Sequence, residues 1–325
     1  MKIRLQSFLA LLLLGFILAV AICAPIISPS DDVENPSSYK RVGSIIDRLP
    51  HPPNENALLG TVPAQWDVFH SLVWGTRDAL KFGLVVSLVV ATIGTLIGSI
   101  SGYFGGLLNS IAMGITDGFL TFPVIAAILF STMFLALLSN YVGIELHLTD
   151  VGMLEQREIV SESVPSELAL WIFNTLTKIN PFMVALILFS WMPYARIVNA
   201  QIIRLKKTEF VLASQILGAR DSRLIFKHLL PNAISPVIVL VARDVGAMVA
   251  LQATFVYIGL TSGSPWAAIL FWGRNWIIGP GGSLLNYWWL FVPATFALIL
   301  FGIIWNLLGD ELNVWLNPRE RRIAL

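Results

Sequence analysis

The chain has 325 residues, of which 56% are hydrophobic and only 13% charged, and its mean hydropathy is +0.76. A soluble domain carries about 25% charged residues, so this composition excludes a water-soluble core and requires repeated membrane crossing. The formal net charge of +1 speaks against nucleic acid as a partner, and the single cysteine, Cys23, excludes an internal disulfide or a cysteine-based metal site.

Lys2 and Arg4 precede the apolar run Phe8 to Ile27. That run is about 20 residues, long enough to span a bilayer, and is read as an uncleaved first transmembrane helix rather than a signal peptide. Residues 28 to 78 are polar and rich in proline, so they should be mostly irregular, with a helix near Asp67 to Trp74. Lys81 to Phe104 reads as the second span. Its Gly83, Gly94, Gly98 and Gly102 fall mostly at four-residue steps, which lets another helix approach closely.

Ser110 to Leu138 reads as the third span, broken at Phe122 and Pro123. It holds Asp117, which the span boundary places about two turns from a short loop and so near the interface. Residues 139 to 178 are acidic: Glu145, Asp150, Glu155, Glu158, Glu162 and Glu167 stand against Arg157 and Lys178. Helical spacing inside this stretch predicts short ordered helices. Pro181 to Ala200 is the fourth span and contains Trp191, Pro193, Tyr194, Ala195 and Arg196.

Between the fourth and fifth spans lies Glu209 to Asn232, too charged for hydrocarbon yet helical in its spacing. Phe210, Ala213, Ile216 and Leu217 form one pattern; Leu224, Ile225, Leu229 and Leu230 form the next. Gly218 separates them where a helix can end in a left-handed residue, Asp221 can cap the second helix, and Pro231 limits it. The unit reads as two amphipathic helices offering a docking surface. Pro236 to Leu260 is the fifth span. Its Arg243 and Asp244 point about 100° apart and are expected to be satisfied by neighbouring helices or at the interface. An aromatic helix over Trp266 to Ile277 and a last span over Tyr287 to Leu308 complete an all-α chain of six transmembrane helices. Lys and Arg gather at the termini and around the 204–235 loop, which places both ends and the loop in the cytoplasm and 28–78, 139–178 and 261–284 outside.

The 209–232 stretch resembles the EAA loop of ABC importer permeases. The pattern falls on Leu212, Ala213, Ser214, Gly218, Leu230 and Pro231, with Leu212 standing for the usual Glu and Ser214 for the second Ala. Ala219, Asp221 and the run from His228 to Asn232 look like the C-type subunit of the dipeptide, oligopeptide and nickel branch. So do Tyr103 to Gly106, and Leu59, Gly60 and Thr61 followed by Asp67 and Val68, where the usual Gly-Arg pair is Gln65 and Trp66. The resemblance makes 139–178 an insertion. It implies a type I ABC importer permease fold: segment 1–78, a permease core 79–317 and a tail 318–325. It also implies a paralogous permease, two ATPase subunits that bind ATP and magnesium, an extracytoplasmic solute-binding protein and a lipid bilayer as partners. Coupling residues would be Glu209, Ala213, Ser214, Gly218, Ala219, Arg220, Asp221 and Pro231. No phosphate-binding loop or nucleophile elbow occurs in the chain, so no ATPase or hydrolase site of those kinds is expected. The rival reading is an ion-coupled secondary transporter or a channel that works without an ATPase. Cargo could be peptide, nickel chelate or oligosaccharide.

Overall fold

The computed structural model describes residues 5–32, 36–141, 181–260 and 263–316. The tail at 318–325 and residues 142–178 of the expected insertion lie outside the described residues. The described chain is built almost wholly of helices: α1 Leu5–Ile27, α2 Val68–Phe104, α3 Gly106–Thr121, α4 Val124–Tyr141, α5 Pro181–Ser190, α6 Met192–Leu205, α7 Glu209–Ile216, α8 Asp221–Arg223, α9 Leu230–Ala233, α10 Ser235–Tyr257, α11 Pro265–Ile278 and α12 Val292–Leu316. A π-helix, Leu224–Leu229, joins α8 to α9. Two short strands, β1 Thr61–Val62 and β2 Trp66–Asp67, form an antiparallel hairpin.

Among the described residues five helices are long and apolar enough to cross a membrane, or six if a bent pair counts as one span. That pair is the expected third span. Its halves, Gly106–Thr121 and Ile125–Ser131, meet at 95°. Pro123 lacks an N–H and drives Phe122 out of helical geometry (φ −77°, ψ 125°), so the chain turns there instead of running straight through.

The second span also differs from expectation. The helix begins at Val68, not Lys81, and runs 37 residues without a break. Asp67 starts it by accepting the backbone N–H of Phe69 at 2.9 Å. Burial pushes the Asp67 carboxyl above the usual carboxylate range, more than the backbone N–H groups of Phe69 and His70 lower it. The polar residues that made this stretch look irregular are paired. His70 Nε2 lies 3.0 Å from the Ser37 carbonyl and its Nδ1 2.7 Å from Ser28 Oγ, so the neutral ring donates to the first and accepts from the second. Ser38 donates to Asp78.

By internal contacts the chain forms two compact units. The first holds the described residues of 1–85 and 242–311. Its core packs Ile17 and Ala21 of α1, Ala79 and Leu80 of α2, Val245 and Val249 of α10, and Phe301 and Ile304 of α12. Buried indoles bind main-chain carbonyls: Trp74 to Ser28 at 2.8 Å and Trp266 to Leu72 at 2.9 Å. In the hairpin turn Gln65 is left-handed (φ 61°) and is held there by the Leu49 carbonyl, 2.9 Å from its Nε2.

The second unit holds the described residues of 86–149, 154–241 and 312–325. Within it α2 and α6 approach backbone to backbone. A Cβ added at Gly94 would lie 2.4 Å from the Trp191 carbonyl oxygen, and one at Gly98 2.4 Å from that of Ala195. The glycine spacing thus lets two backbones touch. Asn199 of α6 locks the contact by donating to Ser101 Oγ at 2.8 Å and to Asn109 Oδ1 at 2.6 Å.

Candidate functional site

The 204–235 loop has an exposed tip on a buried base. In α7 the one buried residue is Val211. Ile216 and Leu217, the last apolar residues of the first pattern, are each 86% exposed, and Phe210 and Leu212 are exposed as well. The tip of α7 therefore leaves large apolar side chains uncovered at the edge of a basic loop. Gly218 is left-handed (φ 79°). The Gly218 N–H binds the Gln215 carbonyl at 2.9 Å and the Ala219 N–H binds that of Ser214 at 3.1 Å, the paired bonds of a Schellman end.

Past the turn, Leu224, Ile225 and Leu229 are buried, so this half is the anchor. The second pattern does not form the regular helix expected from its spacing; it is α8, a π-helix and α9 in succession. Pro231 does not end it either, since α9 continues to Ala233. In a regular helix the proline ring would meet the carbonyl four residues back, that of Lys227, and the wider π turn lies there.

The predicted coupling residues are distributed over this frame. Glu209 opens α7, where an acid suits the helix dipole. Ala213 is exposed. Ser214 donates from its hydroxyl to the Phe210 carbonyl at 2.8 Å. Arg220 is exposed and extended (φ −66°, ψ 147°) just before α8. Pro231 stands away from the tip, in α9. Asp221 is the first residue of α8 rather than its cap, and no side-chain cap bond forms there. Its carboxylate instead accepts the hydroxyl of Tyr103, in the last turn of α2, at 2.5 Å. Lys206, just after α6, donates to the Tyr103 carbonyl at 2.5 Å, and its ammonium sits 5.0 Å from the centre of the Tyr103 ring. Tyr103 and Lys206 were not among the predicted coupling residues. Tyr103 carried only a motif resemblance, and Lys206 counted only as one of several loop bases.

Of the three residues expected to be polar within the membrane, Asp117 and Arg243 are paired across helices. Asp117 forms an ion pair with Arg196, Oδ1 to Nε 3.3 Å, the two side chains being 54% and 58% exposed. Because α3 starts at Gly106, Asp117 lies 11 residues in, or about 16 Å along the axis, deeper than the two turns expected. Arg243 of α10 binds Asp310 of α12 at 2.5 Å. Asp244, its neighbour, is half-buried. Asp310 also lines a groove of about 510 Å³ with Ala250, Gly302 and Asn306.

A family defined as binding-protein-dependent transport system inner membrane component matches residues 94–322. The chain belongs to this family. The matched region holds the α2–α6 contact, the loop and the last span, and the fold is that of a type I importer permease. The chain is 39% identical over 142 residues to the oligopeptide transport system permease protein OppC of Bacillus subtilis, covering 43% of this chain and 44% of that one. It is 36% identical over 146 residues to the dipeptide transport system permease protein DppC of the same organism, covering 44% of each. With OppC of Haemophilus influenzae it shares 31% identity over 187 residues, 57% of each chain. The chain thus spans about half the length of the curated relatives it matches.

Proposed function

We propose that this chain is the membrane permease subunit of an ABC importer for peptides. With a paralogous permease it would form the translocation path; a solute-binding protein would deliver the cargo, and two separate ATPase subunits would bind ATP and magnesium. The observation that carries this reading is the exposed apolar tip at Ile216 and Leu217, fixed by the Gly218 turn on a buried base. Such a surface on an inner-membrane transport component is suited to receive a soluble engine. The names of the similar chains support peptide as cargo over the nickel chelates and oligosaccharides that the sequence alone left open. Basic residues around the loop and at both ends favour a cytoplasmic loop and cytoplasmic termini.

The test is reconstitution of this chain with its paralogous permease, ATPase pair and binding protein in proteoliposomes. ATP should drive uptake of short peptides, and the ATPase should co-purify with the permease pair. Uptake that follows an ion gradient and ignores ATP would replace this reading with a secondary transporter.

A further inference from the structure

We infer that Tyr103 is the joint through which the docking loop moves the membrane helices; this rests on the proposed importer function. The hydroxyl of Tyr103 lies in the crook of the helix–glycine–helix unit. Asp221, three residues after Gly218, accepts its hydrogen bond at 2.5 Å, and Gln215, three residues before Gly218, also interacts with it. Tyr103 is therefore tied to both halves of the loop, although 118 positions separate it from Asp221. Apart from Lys206, which also reaches Tyr103, side-chain bonds of the loop such as Ser214 to Phe210 and Asn232 to His228 stay within a single helical turn.

Tyr103 is itself held firmly. It is buried to 5% exposure in the last turn of α2, and Lys206 grips its carbonyl. That carbonyl is one of the four that a helix leaves unpaired at its C-terminus, and an ammonium there is favoured by the helix dipole. Lys206 begins the connection from α6 to the loop, so one tyrosine joins α2, the end of α6 and the loop.

What Tyr103 receives it passes on rigidly. Starting one residue before it and stepping back about a turn at a time, Gly102, Gly98 and Gly94 bring α2 against the carbonyls of Asn199, Ala195 and Trp191. Close-packed backbones of this kind shift together rather than deform. A stroke delivered at Ile216 and Leu217 would then reach α2 through a bond of one hydroxyl and displace α2 and α6 as a pair.

The experiment uses the assembled transporter in proteoliposomes and measures peptide imported per ATP hydrolysed. Tyr103→Phe keeps the ring, its packing and its contact with the Lys206 ammonium, and removes only the hydroxyl. It should leave ATPase co-purification and ATP hydrolysis near wild type and lower the import ratio by roughly fivefold to tenfold, the size expected for one lost hydrogen bond. Asp221→Asn keeps an acceptor and should lower the ratio less than Asp221→Ala. The double variant Tyr103→Phe with Asp221→Ala should be no worse than the poorer single, because both remove the same bond. An unchanged ratio in Tyr103→Phe overturns the inference. So does a loss of ATPase co-purification that parallels the loss of import, which would make the bond a scaffold. If Tyr103→Phe does not assemble, Asp221→Asn against Asp221→Ala decides: equal ratios overturn the inference. Absence of ATP-driven uptake by the wild-type assembly is a different result, and it sinks the importer reading itself.

Discussion

Gly218 separates two costs that usually come mixed. Its φ of 79° is one that side-chain-bearing residues rarely adopt, yet a Cβ built there meets nothing within 4 Å. A substitution therefore pays for backbone conformation alone. Placing an ordinary L-residue in left-handed geometry costs about 1–2 kcal/mol, so Gly218→Val should reduce the population of the docking geometry roughly 5–30-fold. Asn tolerates the same conformation better, so Gly218→Asn should fall between Val and the native residue. The assay is the affinity of the purified ATPase pair for the reconstituted permease, together with uptake at saturating ATP. Both should fall in the order Gly, Asn, Val, while the folded permease pair stays intact, because Leu224, Ile225 and Leu229 still bury the base of the loop. Wild-type affinity in Gly218→Val, or an Asn variant as poor as Val, would refute the claim that left-handed geometry at this turn sets the docking surface.

Three further outcomes are expected. Gly98→Ala forces a Cβ to 2.4 Å from the Ala195 carbonyl oxygen and should destabilise the solubilised protein by about 1–3 kcal/mol, less the roughly 1 kcal/mol that Ala gains in a helix; Gly114→Ala, with nothing within 4 Å, should be neutral or stabilising, and equal melting of the two would contradict the packing. Arg243→Leu removes the ion-pair partner of Asp310 and should lower the yield of assembled complex, whereas Arg243→Leu with Asp310→Asn should recover most of it; failure of the pair to rescue would show that the bond is incidental. Asp67→Ala should cost about 1 kcal/mol through the lost cap of α2. Asp67→Asn keeps an acceptor. Because the folded state holds the Asp67 proton at higher pH than the unfolded chain does, this group makes stability fall as pH rises out of the carboxylate range. Melting curves of wild type and Asp67→Asn from about pH 4 to pH 7 should therefore diverge in the mutant's favour, and parallel curves would contradict the raised carboxyl.

What could be read in the sequence was local or periodic. The Gly218 turn follows from a glycine between two amphipathic patterns, and the close α2–α6 contact from glycines at four-residue steps. The extra length of α2 was hidden because His70 and Asp78 interrupt its apolar run. Their partners, Ser28, Ser37 and Ser38, come from a segment 33 to 42 positions away that carries no pattern of its own. Charge pairing was hidden for the same reason. Arg243 invited a partner, but nothing in the sequence distinguishes Asp310, 67 positions on, from any other acid. The irregular second half of the loop shows a further limit: apolar spacing identified Leu224, Ile225 and Leu229 as buried without revealing that the turn beneath Pro231 widens.

The departures from the usual loop pattern now have a physical meaning. Where the similar family carries Glu and Ala, this chain has Leu212 and Ser214. Ser214 changes little: its carbonyl closes the Schellman end, as any residue's would, and its hydroxyl is satisfied by Phe210 one turn back. Leu212 changes more, because it is exposed on the same helix as Phe210 and Ile216. The loop therefore offers an apolar surface where a carboxylate would stand, with charge displaced to Arg220, Arg223 and Lys227 beyond the turn. On the proposed reading, a partner ATPase should meet α7 with an apolar groove and the second half of the loop with acids. Raising the salt concentration should then weaken the contacts of Arg220, Arg223 and Lys227 while leaving those of Leu212, Ile216 and Leu217 in place, since screening acts on exposed charges and not on buried apolar area.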